Sequence, residues 1–292
     1  MTRQLLRDST VVIEHEGRVL ELKALSSISG STSLGQTTGR RKTLFANSPK
    51  QYSITSKINP TQINLSVPVT DSFSESLFLE LVGLEGYLGI YSVPVNIPTR
   101  PKICGVTLFN TDSVMRADNC FVESVSLTLS KSTALTMDIV LSASSIIPTN
   151  ESLSDPAAQQ QGSIVTPGPV LLKVQDTAYP SIISATISIQ QVAEWVEDKT
   201  LFDVSKAETF QHQNAQVQDF ILSSTVIRNY LTKQTKTNEA VDGDFFLSKS
   251  GFNLHIEDAR VVHNLDIQSI YQYRLDVAYT ETSGRAKLYF GE

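Results

Sequence analysis

Cysteine is scarce in this chain. Two of its 292 residues are cysteine, Cys104 and Cys120. That count excludes a disulfide-stapled framework and fits a reducing compartment, with a single bridge left open. Long apolar runs are missing too, and no stretch reaches the ~18 residues that a membrane-spanning helix needs. The start, MTRQLLRDSTVV, lacks the apolar core of a signal peptide. The expectation is a chain without a membrane span, made and assembled in cytoplasm. Charge is sparse at 18%, and the formal net charge is −6. A protein that holds nucleic acid nonspecifically needs a basic footprint, which the whole chain lacks.

Catalytic patterns are equally thin. The four histidines, His15, His212, His255 and His263, show no close-set pairing with each other or with cysteine, and zinc sites want such pairs. Cys104 and Cys120 form no CxxC and read as small hydrophobes at strand ends. Asp242 and Asp244 in VDGDFFL resemble an acid pair, but DGD at a strand start is more simply a turn. No GxGxxG, GxxxxGK[ST] or GxSxG occurs. The expectation is no enzyme, no metal and no cofactor.

Strand signals fill most of the chain instead. RVLELKAL sets Val19 and Glu21 against Leu20 and Leu22. FVESVSLTLS places Phe121, Val125, Leu127 and Leu129 on one face and Ser124, Ser126 and Thr128 on the other. ALTMDIVLSA repeats this with Leu135, Met137, Ile139 and Leu141, and SKST between the two is turn-like, so a hairpin with one wet face is expected. Later runs alternate likewise: Ile183, Ala185, Ile187 and Ile189; Phe252, Leu254 and Ile256; Tyr271, Tyr273, Leu275, Val277 and Tyr279; and a last strand at AKLYF.

Two segments read as helices. In DSFSESLFLELVGLEG, Ser72 and Glu75 fit a capping box, Phe73, Leu77 and Leu81 recur every four residues beside Phe78 and Val82, and Gly83 or Gly86 ends the run. In NAQVQDFILSSTVIRNYLTKQ, Val217, Phe220, Ile221, Ile227, Tyr230 and Leu231 make one broad face. Between the halves, Ser144 to Pro169 is rich in Ser, Pro, Gln and Gly and reads as a linker. Both halves then follow the order strands, helix, hairpin, an internal duplication. The alternative is one irregular β-rich fold with two helices.

One stretch fits neither pattern. Ser26 to Ile54 runs SSISGSTSLGQTTGRRKTLFANSPKQYSI, without hydrophobic periodicity from Ser29 to about Leu44. Most connections in compact domains span about 4–6 residues. Such a segment is disordered, binds a ligand, or is an arm that gains order against another subunit. Leu34, Leu44 and Phe45 are its candidate anchors, and Arg40, Arg41 and Lys42 its charged cluster.

Taken together, the arm, the helix at Ser72 to Leu84, the hairpin CFVESVSLTLSKSTALTMDIVLSAS and its second-half counterpart from VLLKVQDTAYPSIISATISIQ to RLDVAYTETSG resemble tail tube and tail-tube-like proteins of bacteriophages. The resemblance implies a mainly β fold of two tandem β-sandwich units, each with one flanking helix and a long hairpin arm in the first. Residues 1–147 would be the first unit, with the extended loop at 26–54, 148–169 the linker and 170–292 the second unit. The implied function is a structural virion protein of stacked rings, in the tube or in an initiator or adaptor ring near the baseplate. The implied partners are copies of itself in a trimeric or hexameric ring, neighbouring tube, baseplate or sheath proteins, and genomic DNA sliding through the lumen without sequence-specific binding. The implied location is the virion tail. The alternative from another class is a carbohydrate- or receptor-binding β-sandwich on the virion, which outward-facing aromatics would favour.

Overall fold

Period-two runs become long strands, and the longest carry the architecture. The structure is a computed structural model describing residues 9–22, 25–31, 34–41, 50–58, 60–94, 96–110, 113–150, 160–175, 177–179, 181–196, 214–229, 239–249, 252–266, 272–278 and 286–290. The first half contributes β1 (Thr10–His15), β2 (Arg18–Leu22), β3 (Ser27–Ser31), β4 (Leu34–Arg41), β5 (Lys50–Ile58), β6 (Thr61–Pro68), α1 (Leu77–Leu81), β7 (Glu85–Tyr87), β8 (Ile90–Ser92), β9 (Cys104–Asn110), β10 (Ser113–Ser130), β11 (Thr136–Ala143) and β12 (Ser145–Thr149). The second contributes β13 (Leu171–Val174), β14 (Thr177–Tyr179), β15 (Ile182–Val196), β16 (Asn214–Asn229), β17 (Glu239–Lys249), β18 (Phe252–Asp266), β19 (Gln272–Ala278) and β20 (Ala286–Phe290). Among the described residues the fold is mainly β, with two sheet-rich regions and one short α-helix.

A single antiparallel series crosses both halves in the order β3, β6, β11, β10, β15, β16, β19, β18, β17, β13, β14. Strand β20 pairs with the first part of β18 and carries β8 and β7 outward. A second layer runs β2, β1, β9, β10, β12. Strand β10 belongs to both layers. Its register slips between Ala117 and Cys120, where Asn119 takes φ 52°, and the bend passes the strand from one layer to the other. No pairing among the described residues closes the series, so β3 stands at one end and β14 at the other.

The core lies between the layers. Val125, Leu127, Leu129, Met137, Ile139, Leu141, Ala185, Ile187 and Ile189 turn inward from the long series, against Val11, Ile13, Leu20, Leu22 and Val106 from the second layer. In β15 a bulge between Ile182 and Ser184 sends Ile182 inward and leaves Ile183 half-buried, where alternation alone expects the reverse.

The first helix is shorter than its apolar pattern. A 3₁₀ turn at Ser74–Ser76 precedes the five residues of α1, which bury Leu77, Phe78, Leu79 and Leu81. Ser72 and Glu75 do not form the expected capping box. Phe73 holds the cap position at φ 50° without a side-chain cap bond. Ser72 Oγ donates instead to the Gln161 carbonyl, 2.5 Å away. The fully buried Glu75 carboxylate accepts from Thr70 N at 3.3 Å, from Thr70 Oγ1 at 3.0 Å and from the Gln160 side-chain amide. Residues 160–165 thus strap down the start of the helix. Gly162 (φ +87°) is needed there, because a Cβ would strike Asp71 Oδ1. The other end matches expectation. Gly83 (φ 108°) N–H donates to the Glu80 carbonyl and Leu84 N–H to the Leu79 carbonyl, a Schellman stop with Leu79 and Leu84 both buried.

The second expected helix is a strand. Residues 214–229 form β16, paired with β15 over its whole length and with β19 along its second part. Leu222, Ser224, Val226 and Arg228 turn inward, while Ile221 is exposed and Ile227 half-buried on the other side. A helix matching α1 is therefore absent from the described second half. Tyr230 and Leu231 lie outside the described residues, as do His212, Tyr271 and Tyr279. Asp242 and Asp244 sit inside β17 rather than in a turn, beside a register slip between Gly243 and Phe245.

The halves are stitched together beyond the β10–β15 ladder. The Lys249 ammonium at the end of β17 donates to the carbonyls of Ser130 at 2.7 Å and Thr133 at 3.1 Å, closing the β10–β11 turn. Val165 N–H donates to the Val69 carbonyl, and Leu135 N–H to the Val165 carbonyl.

Cys104 and Cys120 are free and buried on one rung of β9 and β10. Burial pushes the Cys104 thiol up from 9.0 to about 12 and raises Cys120 as well. Both thiols stay protonated in the fold but ionise near pH 9 when unfolded. The unfolded chain therefore binds fewer protons above that pH, and stability falls as pH rises. We expect urea-melt stability to be level up to about pH 8.5, then to drop by roughly 1.4 kcal/mol per pH unit for each thiol. A Cys104→Ala/Cys120→Ala variant should show a shallower alkaline slope. An unchanged slope would place the alkaline sensitivity elsewhere.

Candidate functional site

The long series has one face in the core and the other open, and the open face is built of hydroxyls. One cross-strand row runs Ser66, Asp138, Ser126, Ser188, Ser223 across β6, β11, β10, β15 and β16. The next runs Thr136, Thr128, Thr186, Thr225. Ser126 Oγ donates to Ser188 Oγ at 3.4 Å across the join between the halves. Asp138 is exposed, and the Ser and Thr side chains of both rows are half-exposed. Between β6 and β16 neither row holds a lysine or arginine; through Ala278 of β19 the first row continues to the exposed Arg260 of β18. Phosphate contacts rest chiefly on cationic side chains and N–H donors. From β6 to β16 the two rows offer hydroxyls and a carboxylate, so a polyanion meets hydrogen-bonding groups there without ionic anchors.

The rows were partly legible. Ser124, Ser126 and Thr128 alternate openly with Val125, Leu127 and Leu129. The β16 share was hidden by its helical reading, although Ser223 and Thr225 keep the same period.

The second feature is the polar stretch after β3. It pairs as a two-stranded sheet of β4 and β5, joined to no other strand among the described residues. Of the predicted arm residues, Leu34, Arg40 and Arg41 fall on β4, with Leu34 opposite Ile58, Arg40 opposite Gln51 and Arg41 opposite Lys50. Lys42, Leu44 and Phe45 lie outside the described residues. The charge of this region is one-sided. From residue 22 to residue 70 there are six basic residues, Lys23, Arg40, Arg41, Lys42, Lys50 and Lys57, and no acid, leaving eighteen basic against thirty acidic residues elsewhere. Like charges opposed on a ladder, as at Arg41 and Lys50, destabilise a hairpin. An isolated two-stranded hairpin is marginal in water.

The third feature is a groove of about 570 Å³ at the outer end of the second layer. Val19, Ile103 and Gly105 supply its apolar lining and Glu14, Arg18 and Arg116 its rim. Arg116 donates to Asp118 Oδ1 at 2.8 Å and to Glu14 Oε2 at 3.2 Å, and the buried His15 ring meets the Ile103 carbonyl at 2.9 Å. One guanidinium is thus shared between two carboxylates, and these contacts leave no organised nucleophile and base. Among the described residues, no three His, Cys, Asp or Glu side chains gather to hold a metal. No described helix is long and apolar enough to cross a membrane.

Comparison with known proteins agrees in kind. A family model described as the Bacteriophage Baseplate Tube Protein Family matches residues 1–292. Baseplate tube protein p140 of Escherichia phage T5 is 26% identical over 307 residues, covering 100% of this chain and 99% of that protein.

Proposed function

The chain belongs to the bacteriophage baseplate tube protein family, and from that premise we propose that copies of it close into a ring whose lumen is the hydroxyl face and whose channel passes DNA. The chain is a structural virion protein of the tail, not an enzyme. The observation that carries the ring reading is the continuity of that face. It crosses from β6 to β16 without a break between the halves and without a cation in its two central rows. DNA slides over such a wall because its central rows set no cation against the phosphates and the Asp138 carboxylate repels them.

Ring closure also answers the open series. Strand edges left unpaired are a liability, and a neighbouring copy covers them. With units at 1–147 and 170–292 joined by 148–169, three copies supply six units; a ring of six copies is the other closed form. The ring stacks on adjacent tube or baseplate proteins, with outer tail proteins around it, and is assembled in the host cytoplasm. A carbohydrate-binding face would need exposed rings across the sheet centre, where the rows hold hydroxyls.

The β4–β5 arm reaches a neighbour. Its excess of positive charge seeks the acidic remainder of a second copy, which sets register as much as affinity. Negative-stain microscopy of the purified protein tests the ring reading. Rings of three or six copies with a central hole are expected. A solid or monomeric particle under all assembly conditions would overturn it.

A further inference from the structure

We propose that the β7–β8 hairpin is a docking knob for a second copy of this chain and that the groove beside the β1–β2 turn is its socket. This goes beyond ring closure by strand edges and stands or falls separately from it.

The knob has two unusual properties. Its two-residue turn places Leu88 at φ 49° and Gly89 at φ 80°. Positive φ at both central positions is the hairpin turn that favours Asn-Gly, and leucine pays a steric cost there. The leucine is also 84% exposed, beside Tyr87 at 76% and Ile90 at 39%. A strained apolar residue held in water does nothing for the fold that asparagine would not do better. What it offers is contact area.

The knob is also rigid. Strand β8 is zipped to β20 through Ile90 and Tyr289, Tyr91 and Leu288, Ser92 and Lys287. The Tyr91 ring lies over Gly86, where a Cβ would come within 2.7 Å, and its hydroxyl bonds to the Ser76 side chain. Tyr87 and Ile90 face each other on the opposite side of the ribbon. Little conformational freedom is lost when such a pre-formed tip is buried.

The socket matches in size and chemistry. About 570 Å³ accommodates a leucyl and a tyrosyl side chain together. Val19 and Ile103, which line it, are 42% and 38% exposed, so both sides of the contact shed water. The rim of Glu14 and Arg116 gives the Tyr87 hydroxyl hydrogen-bond partners. Burying the ring and the leucine removes on the order of 300–400 Å², close to half of what one side of a standard interface covers.

Leu88→Asn separates a structural role from a docking role, because asparagine suits the turn. Self-association is read by sedimentation velocity and folding by thermal melting. The expected result is a tenfold or greater loss of association for L88N, with a melting temperature unchanged or raised. Val19→Glu should lose association from the socket side. An equimolar mixture of L88N and V19E pairs an intact socket with an intact knob and should recover a dimer. Wild-type-like association of L88N, a mixture that stays monomeric, or a wild type that never self-associates overturns the proposal. Rings that persist in L88N overturn it while leaving the ring reading intact.

Discussion

Replacing Val226 with aspartate is expected to unfold the chain, and replacing the adjacent Ile227 is not. Val226 is fully buried in β16, packed in the core behind β15 and β19. A carboxylate there costs several kcal/mol for want of water and of a partner. Whole-domain stabilities are about 5–15 kcal/mol, so the loss consumes much of the margin. Ile227 sits half-buried on the hydroxyl side, opposite Ser184. Ile227→Asp gives up some apolar burial there but keeps water at hand, and should cost about 1 kcal/mol or less. Thermal melts followed by far-ultraviolet circular dichroism read both. V226D should aggregate or melt far below the parent, and I227D within a few degrees of it. Equal damage from the two would contradict the in-and-out alternation of β16 and would remove the hydroxyl row that β16 completes.

That contrast shows why β16 misled. Val217, Phe220, Ile221, Ile227, Tyr230 and Leu231 satisfy helical spacing. The true inward set, Leu222, Ser224, Val226 and Arg228, carries two polar residues that mask a period of two. Arg228 is buried because its guanidinium stacks 4.8 Å from the centre of the Tyr179 ring, a partner from β14 that local pattern cannot reveal. The β-branched run Thr225, Val226, Ile227 pointed the other way and was the available clue. The first helix failed differently. Glu75 had the spacing of a cap, but Gln160, distant in sequence, draws its carboxylate into a buried cluster with Thr70. The β10–β11 hairpin was legible because its strands are neighbours and its alternation is clean. The face it helps to build was legible only in part, since the row of serines exists by virtue of long-range register. The knob at Leu88 was invisible, because a leucine's φ is not written in its sequence.

Removing the arm should leave the fold and abolish assembly. Its extent follows from pairing rather than from composition. Cutting only residues 31–42 would strip β4 and leave β5 without its single partner, so the clean deletion takes both strands. Strands β3 and β6 run antiparallel, with Ser31 opposite Gln62. A short Gly-containing loop in place of residues 32–60, with Thr61 as the last residue of the connection, therefore closes a hairpin with Ser31 still opposite Gln62. Loop closure becomes cheaper with the shorter connection. The buried Ile63, Leu65 and Val67 of β6 all remain. Circular dichroism and melting should match the parent within a few degrees, while microscopy shows no rings or stacks. If charge drives the contact, a milder variant should follow the same direction. Arg40→Gln/Arg41→Gln/Lys42→Gln keeps the hairpin's length and lifts the like-charge pairing of Arg41 with Lys50. It should fold as well as the parent and assemble poorly at low salt. The parent's own assembly should weaken as ionic strength rises and the Debye length falls below about 8 Å. A folded deletion variant that builds normal rings would remove the arm from the assembly. An unfolded one would make the hairpin part of the domain it springs from. Salt-independent assembly of the parent would leave apolar anchoring by Leu34, Leu44 and Phe45 as the arm's means of attachment.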